Sequence, residues 1–335
     1  MQLPFPYLLF LGDATEAAYA KTAYGLRDWA PERCIGEWSC ASCTLTTGLP
    51  SMTPKEARVR GARGLVIGIA NTGGVIGESW VPLLVEAVEA GLDIVSGMHV
   101  KLASVPQLKA AAARCGRQLI DIRTPPPDIP CGTGSRRSGK RLLTVGTDCA
   151  LGKKYTALAI ARAFQARGRA VDFRATGQTG ILISGGGMPM DAVVADFEAG
   201  AAELLSPAAD PAHWDVIEGQ GSLFHPAYAA VSLGLLHGSQ ADVIVVCHQP
   251  GREFVLGHEG FALPSIDETI ELNLRLGRRT NPAIRCGGVS LNTAHLDSNA
   301  ARRLMAQESA RLGLPVADPM RPDANFERLI DSCLA

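Results

Sequence analysis

Residues Arg141 to Gly168 admit few folds. The continuous apolar run RLLTV leads into VGTDCALGKKYT, and KYTALAIARAFQAR carries the chain on to Gly168. An uninterrupted apolar run marks a strand buried on both faces, as in parallel sheets. The stretch after it reads as a helix stopped by glycine. Strand, glycine-bearing turn and helix in that order open a βαβ unit. The turn is close to a phosphate loop, G-x-x-x-x-G-K-[ST], with two departures. Five residues separate Gly146 from Gly152-Lys153, and Lys154 stands where a hydroxyl usually ligates Mg²⁺.

The same alternation runs through the whole chain. Before the turn, YLLFLG (Tyr7–Gly12), GLVIGIAN (Gly64–Asn71), LDIVSG (Leu92–Gly97) and QLIDI (Gln118–Ile122) read as strands, with helices to about Trp29, near Trp80–Ala90 and near Val105–Ala113. After it, strands are expected at AVDFRAT (Ala170–Thr176), DVIEG (Asp215–Gly219), DVIVVCH (Asp242–His248), CGGVSLN (Cys286–Asn292) and a short PVAD, with helices around Ala192–Leu205, Ala227–Leu236, Ser265–Leu276 and Ser298–Leu312 and at the end. Between the halves, RTPPPDIPCGTGSRRSGK is too rich in Pro and Gly to continue either element and reads as a linker. The chain has 335 residues, a length suited to two domains. The expected fold class is α/β: an N-terminal Rossmann-like open sheet over 1–125, a linker over 126–139, and a P-loop NTPase-like doubly wound parallel sheet over 140–335.

Composition narrows the function classes. Net charge is −1, which gives a nucleic-acid partner no electrostatic basis. No apolar run reaches the roughly 18 residues of a membrane span, and Tyr7–Leu11 reads as a strand rather than a signal peptide. Nine cysteines, an odd number, suit a reducing cytoplasm and not a disulfide framework. Cys40-Ala-Ser-Cys43 has no second pair to complete a zinc site, so no metal is expected there.

A glycine-rich turn before a helix aims backbone N–H groups and the helix dipole at one point, where an anion binds. The loop residues Gly146, Thr147, Asp148, Cys149, Ala150, Leu151, Gly152, Lys153, Lys154 and Tyr155 are therefore the expected phosphate-binding set. Lys154 offers donors only and cannot ligate Mg²⁺. Thr156 lies nearly a helical turn beyond Lys153. Two adjacent lysines suit a diphosphate bound without metal; the alternative is Mg-ATP with the metal on Asp148, Glu218 and water. The substrate is expected to be a small molecule.

The G-T-D-x-x-x-G-K pattern resembles the loop of dethiobiotin synthetase and its relatives. That resemblance sets Glu218-Gly219-Gln220-Gly221 at their metal-site turn and Asn292 near their adenine. A resemblance over the whole chain is carried by VGTDCALGKK, ATGQTGILISGGG, EGQGSLFHPAY and CHQPGR. These are similar to the DgcN-type D-glutamate N-acetyltransferase family, long described only as a domain of unknown function. Membership implies an acyltransferase of D-amino acid catabolism that moves acetyl from acetyl-CoA to D-glutamate or a close acidic amino acid. The rivals are a Mg-ATP-dependent ligase or kinase and a nucleotide-binding regulator without turnover.

Acetyl transfer requires a base for the protonated amine, donors for an oxyanion and cations for the acceptor's carboxylates. Glu218, at a strand end, is the first candidate base, with turn capping and metal ligation as its other readings. Asp148 is read as a loop-orienting group or a catalytic one, and His225 as a second base or a structural residue. Arg174 and Arg252 are candidates to grip a carboxylate, against salt bridges to neighbouring acids. Thr176, Gln178 and Thr179 lie in a glycine-rich loop suited to wrapping substrate, and Asn71 and Thr72 follow a strand and precede a helix. His99 follows the next strand, on the corresponding edge. A homodimer is the expected assembly.

Overall fold

Strands buried on both faces need apolar side chains on both sides, and these runs meet that demand. The computed structural model describes residues 3–335, and of Thr72 the backbone only. Two units are present. One holds the chain up to Thr124 together with Gln178–Pro189, the other Pro125–Gly177 with Met190–Ala335.

The first unit carries β1 (Tyr7–Phe10), α1 (Lys21–Trp29), β2 (Cys34–Trp38), α2 (Pro54–Val59), β3 (Gly64–Ile67), α3 (Val81–Glu89), β4 (Asp93–Ser96), α4 (Pro106–Cys115) and β5 (Leu119–Asp121). All the strands pair in parallel, in the order β2-β1-β3-β4-β5. Every residue of β1 and β3 is buried. The sequence reading did not anticipate β2 or α2. β2 breaks its apolar run with Gly36 and Glu37, and Glu37 is tolerated inside because Thr46 Oγ1 and Thr47 N donate to its two oxygens at 2.5 Å each. α2 is short and depends on a capping box between Thr53 and Glu56.

A further element belongs to this unit. Gln178–Ser184, expected as part of a glycine-rich loop, is a helix, α6. It packs on α1, where Thr179 Oγ1 and Thr22 Oγ1 lie 3.1 Å apart. Arg33 donates to Leu182 O and Ser184 O at the end of α6, both at 3.3 Å, so two of its terminal carbonyls gain partners.

The second unit holds β6 (Lys140–Gly146), α5 (Lys153–Ala166), β7 (Val171–Arg174), α7 (Glu198–Leu205), β8 (Trp214–Ile217), α8 (Ala229–Ser239), β9 (Val243–His248), α9 (Ile266–Gly277), β10 (Arg285–Leu291), α10 (Ser298–Leu312), β11 (Val316–Ala317) and α11 (Ala324–Leu334). The parallel order is β11-β10-β9-β6-β8-β7. The chain moves from β6 toward β7 on one side and later to β9 on the other, so the strand order reverses at β6. Ligands of doubly wound sheets bind at such a point, outside the carboxyl ends of the strands. α7 starts later than expected, because residues 190–197 form two short 3₁₀ turns instead.

The Pro- and Gly-rich stretch has no regular structure, yet it is fastened down. The amides of Thr133 and Gly134 donate to Glu203. Arg141, 1% exposed, sends its guanidinium to Ser206 Oγ and to the carbonyls of Arg137, Ser138, Gly139 and Pro207. A buried guanidinium is tolerable when its donors are satisfied in this way. The nine cysteines are free thiols. Among the described residues, no helix is long and apolar enough to cross a membrane.

Candidate active site at the phosphate loop

The loop begins where β6 ends. Gly146 pairs with Cys247 of β9, and α5 starts at Lys153. The extra residue is absorbed by positive φ at Ala150 (55°) and Gly152 (108°). The N–H groups of the first turn of α5 have no carbonyls of their own helix to bind and face the loop with the positive end of the dipole. Leu151, within the loop, is buried. Lys153 is buried too, and its Nζ donates to Asp148 O at 2.6 Å. Burial, foremost, lowers its pKa. Lys154 Nζ lies 4.4 Å from the centre of the Tyr155 ring. Thr156 does not line the loop: its Oγ1 pairs with Ser290 Oγ of β10 at 2.8 Å in the core.

Asp148 has no exposed surface. Its Oδ2 accepts from Arg252 at 2.9 Å and from Leu256 N at 2.8 Å, and its Oδ1 accepts from Cys149 N at 2.6 Å. His225 Nδ1 accepts from the amides of Ala227 and Tyr228 at 3.1 and 3.2 Å. The neutral ring therefore carries its proton on Nε2, the nitrogen 3.8 Å from Asp148 Oδ1. Burial pushes its pKa down. The His225 ring also meets Tyr228 and His258, with centroids 4.5 and 4.9 Å away.

Glu218 stands just past the end of β8, beside β6, and is buried. Its Oε2 accepts from Thr176 N at 2.9 Å and Gly177 N at 3.1 Å, while Thr176 Oγ1 donates to Glu218 O at 2.7 Å. Burial raises its pKa, opposed first by the charge of Lys154, then by the two amides and Lys153. Behind it, Gly219 fits where no other residue would. A β-carbon there would lie 1.7 Å from Thr144 O, and Gly219 N donates to Thr144 Oγ1 at 2.9 Å.

Asp148, Cys149 and His225 bring donor atoms within 4.8 Å of one another, yet they do not fit a divalent cation. The His225 nitrogen facing the cluster is the protonated one, and Asp148 is already bound to a guanidinium. A second group, Asp172, His213 and Asp215, is filled by Arg174, whose guanidinium binds Asp215 at 2.7 Å and Asp172 at 3.0 Å.

The other sequence candidates fall in several places. Arg174 reaches back along the strands to Asp215, two residues before its register partner Ile217. Arg252 is bound to the loop through Asp148. Thr147 Oγ1 lies 3.0 Å from His248 Nδ1. Asn292 continues from β10, its N bonded to His248 O at 2.9 Å and its Oδ1 to Ala294 N. Thr176 is fully buried and clamps Glu218. Gln178 and Thr179 belong to the first unit. Asn71 there closes a turn by bonding both the N and the O of Val75, and the Thr72 side chain lies outside the described residues. Sequence reasoning missed Thr144, Leu256 and Gln220, whose Nε2 donates to Thr176 Oγ1 at 2.9 Å. Only the strand-end position of the first and the turn position of the last offered any signal.

Family models match most of the chain: a Rossmann-like domain of unknown function, DUF1611_N, over residues 32–125, and the P-loop domain of DUF1611 over 130–329. Two curated relatives, each named D-glutamate N-acetyltransferase, are 48% identical. One, from a Pseudoalteromonas species, aligns over 96% of this chain and 97% of its own length. The other, from Tritonibacter scottomollicae, aligns over 98% of both. The crystal structure of a DUF1611 family protein from Anabaena variabilis superposes with a TM-score of 0.87 at 32% identity, covering 98% of this chain and 99% of that one. By sequence and by fold, the chain belongs to the DUF1611 family.

Proposed function

We propose that this chain is an N-acetyltransferase that moves acetyl from acetyl-CoA to the amine of D-glutamate or a close acidic amino acid, with the loop holding the CoA phosphates without metal. The relatives' names supply the reaction class. The observation that carries the metal-free reading is that both carboxylates near the loop are already engaged. Arg252 sits on Asp148, and Glu218 Oε2 accepts from the amides of Thr176 and Gly177. With the hydroxyl position taken by Lys154 and Thr156 committed to Ser290, a Mg²⁺ ion has no ready ligand set. Lys153, Lys154 and the α5 amides supply positive potential for a diphosphate instead, and Asn292 follows β10, two strands from β6, on the adenine side in this reading.

Glu218 is our base. A carboxylate of raised pKa, held by two amides, can take a proton from the acceptor ammonium. The amine then attacks the thioester carbonyl, backbone N–H groups of the glycine turns stabilise the oxyanion, and CoA leaves as the thiol. His225 presents an N–H to Asp148, so we assign it, with Arg252, to holding the loop rather than to proton abstraction. Thr176 positions Glu218. We further take the enzyme to be cytoplasmic, in keeping with its free thiols, and to work as a homodimer, the commonest assembly.

The test is CoA thiol release from acetyl-CoA. It should require D-glutamate and be indifferent to EDTA. EDTA-sensitive ATP hydrolysis without thiol release would overturn the reading in favour of a ligase or kinase, and nucleotide binding with no turnover in favour of a regulator.

A further inference from the structure

The amino ends of the first sheet frame a cavity of about 270 Å³. It is lined by three arginines, Arg58, Arg63 and Arg117, by Asp93 and Gln118, and by the chain leading into β1. All of these belong to the first unit. Arg63 directly precedes β3, Asp93 opens β4 and Gln118 directly precedes β5. These strands are neighbours in parallel register, so the three residues stand side by side at one edge. Arg58 comes to the same edge from α2, its Nη1 donating to Ala62 O at 3.1 Å. The turn at Gly91, with φ at 92°, draws two of the guanidiniums together. Arg117 Nη1 donates to Gly91 O at 3.5 Å, and a β-carbon on Gly91 would lie 3.4 Å from Arg58 Nε.

The charges of this lining do not balance. Among the described residues, Asp93 is its one carboxylate against three guanidiniums. Asp93 Oδ1 accepts from Gln118 N at 2.8 Å and lies 3.9 Å from Arg117 Nη1. Arg63 is fixed through its backbone, its N donating to Pro6 O at 2.9 Å and its O accepting from Asp93 N at 3.0 Å. Its guanidinium has no hydrogen-bond or ion-pair partner among the described residues. A hollow lined by an excess of one charge concentrates the opposite ion. A single guanidinium fork satisfies a planar carboxylate. Guanidiniums that come from a helix end and from two strand entrances suit a group with oxygens on several sides, and arginine is well matched to phosphate. The volume lies just below the roughly 300–1,000 Å³ typical of ligand pockets, which favours a small ligand. We propose that this cavity is a second ligand site that binds a phosphoryl dianion, either inorganic phosphate or the phosphate of a small organic ester. It does not rest on the acyltransferase reading, because the residues of the phosphate loop belong to the second unit and lie at the carboxyl end of a strand.

The test is calorimetric titration of the full chain with inorganic phosphate and, separately, with glycerol 3-phosphate. It is run at about 0.15 M salt, where attraction between exposed charges more than about 8 Å apart is largely screened. Lys153→Ala serves as the background, so that the loop of the second unit does not mask the result. That protein should still bind one phosphoryl group. Adding Arg63→Met should weaken binding about tenfold or more, the loss expected for a charge-assisted hydrogen bond, and Arg117→Met should do the same. Asp93→Asn keeps an acceptor for Gln118 N and removes the repelling charge, so it should tighten binding several-fold. Tighter binding of the ester than of phosphate supports an organic ligand, and the reverse supports phosphate itself. Unchanged affinity in Arg63→Met overturns the proposal, as does loss of all phosphate binding in Lys153→Ala alone. Succinate bound as tightly as phosphate overturns the phosphoryl assignment. Should Arg63→Met melt below wild type without ligand, Asp93→Asn decides: tighter binding supports the site, and equal or weaker binding refutes it.

Discussion

Replacing Asp148 by asparagine keeps the shape of the side chain and removes its charge. Both oxygens of Asp148 accept hydrogen bonds, Oδ2 from Arg252 and Leu256 N, Oδ1 from Cys149 N. An amide has one acceptor oxygen, so whichever way it flips, its NH₂ faces a donor. Arg252 loses its charge partner while its own side chain is only 15% exposed. Breaking a buried ion pair from one side costs about 3–5 kcal/mol. Partial access of Arg252 to water puts this case near the lower end, about 3 kcal/mol. For a domain the size of the second unit, each kcal/mol moves the melting midpoint by roughly 2–4 °C. The expected drop is then roughly 6–12 °C, read by scanning calorimetry at neutral pH. The segment from Arg252 to Leu263 should also lose protection, with the Leu256 amide exchanging faster. In a double-mutant cycle with Arg252→Met, the two losses should fall well short of adding, because each removes the same pair. A midpoint shift under about 2 °C with unchanged exchange at Leu256 refutes the claim that Asp148 latches this segment to the loop.

Glu218→Gln should lower kcat for acetyl transfer by about 100-fold or more with little change in either KM; steady-state kinetics returning wild-type kcat would remove Glu218 from the base role. Lys154→Thr restores the hydroxyl of a metal-binding loop but removes a cation. CoA affinity by calorimetry should fall about tenfold, and a full recovery on adding Mg²⁺ would show that the site accepts metal after all. Burial holds the His225 pKa below its unfolded value near 6.5, so the unfolded state binds the proton more readily. Stability should then be intact above about pH 6.5 and decline as the pH falls through that value. His225→Gln should flatten the part of this decline that His225 causes, and melting curves of the variant that follow wild type from pH 7 to 5 would count against it.

The fold around the loop of the second unit was legible because it is local. Strand, loop and helix follow one another over Arg141–Gly168, and the spacing alone exposed both the lengthened loop and the missing hydroxyl. What escaped was decided at long range or against local preference. β2 hides behind Gly36 and Glu37, and its buried carboxylate becomes acceptable only through Thr46 and Thr47. α6 reads as loop because Gly177, Gly180 and Gly185–Gly187 punctuate it, and its partner Thr22 lies 157 residues away. Arg174 and Arg252 occupy similar strand-end positions in the sequence. Only the fold decides that one answers Asp215 and Asp172 and the other Asp148.

α6 also bears on how the protein is made and divided. A cut at the Pro- and Gly-rich linker would look natural on the sequence, yet it leaves the first sheet without the helix that covers α1. A fragment ending at residue 125 should be deficient, and a peptide spanning 178–189 added in trans should raise its melting temperature; indifference to that peptide would show α6 to be a passenger. On a ribosome, the first unit cannot close until the chain has grown past residue 189, when β6, α5 and β7 are already out. The two halves of this gene product are thus stitched rather than strung together, and recombination that swaps either one as a contiguous block would leave the remaining sheet with a missing or a foreign helix.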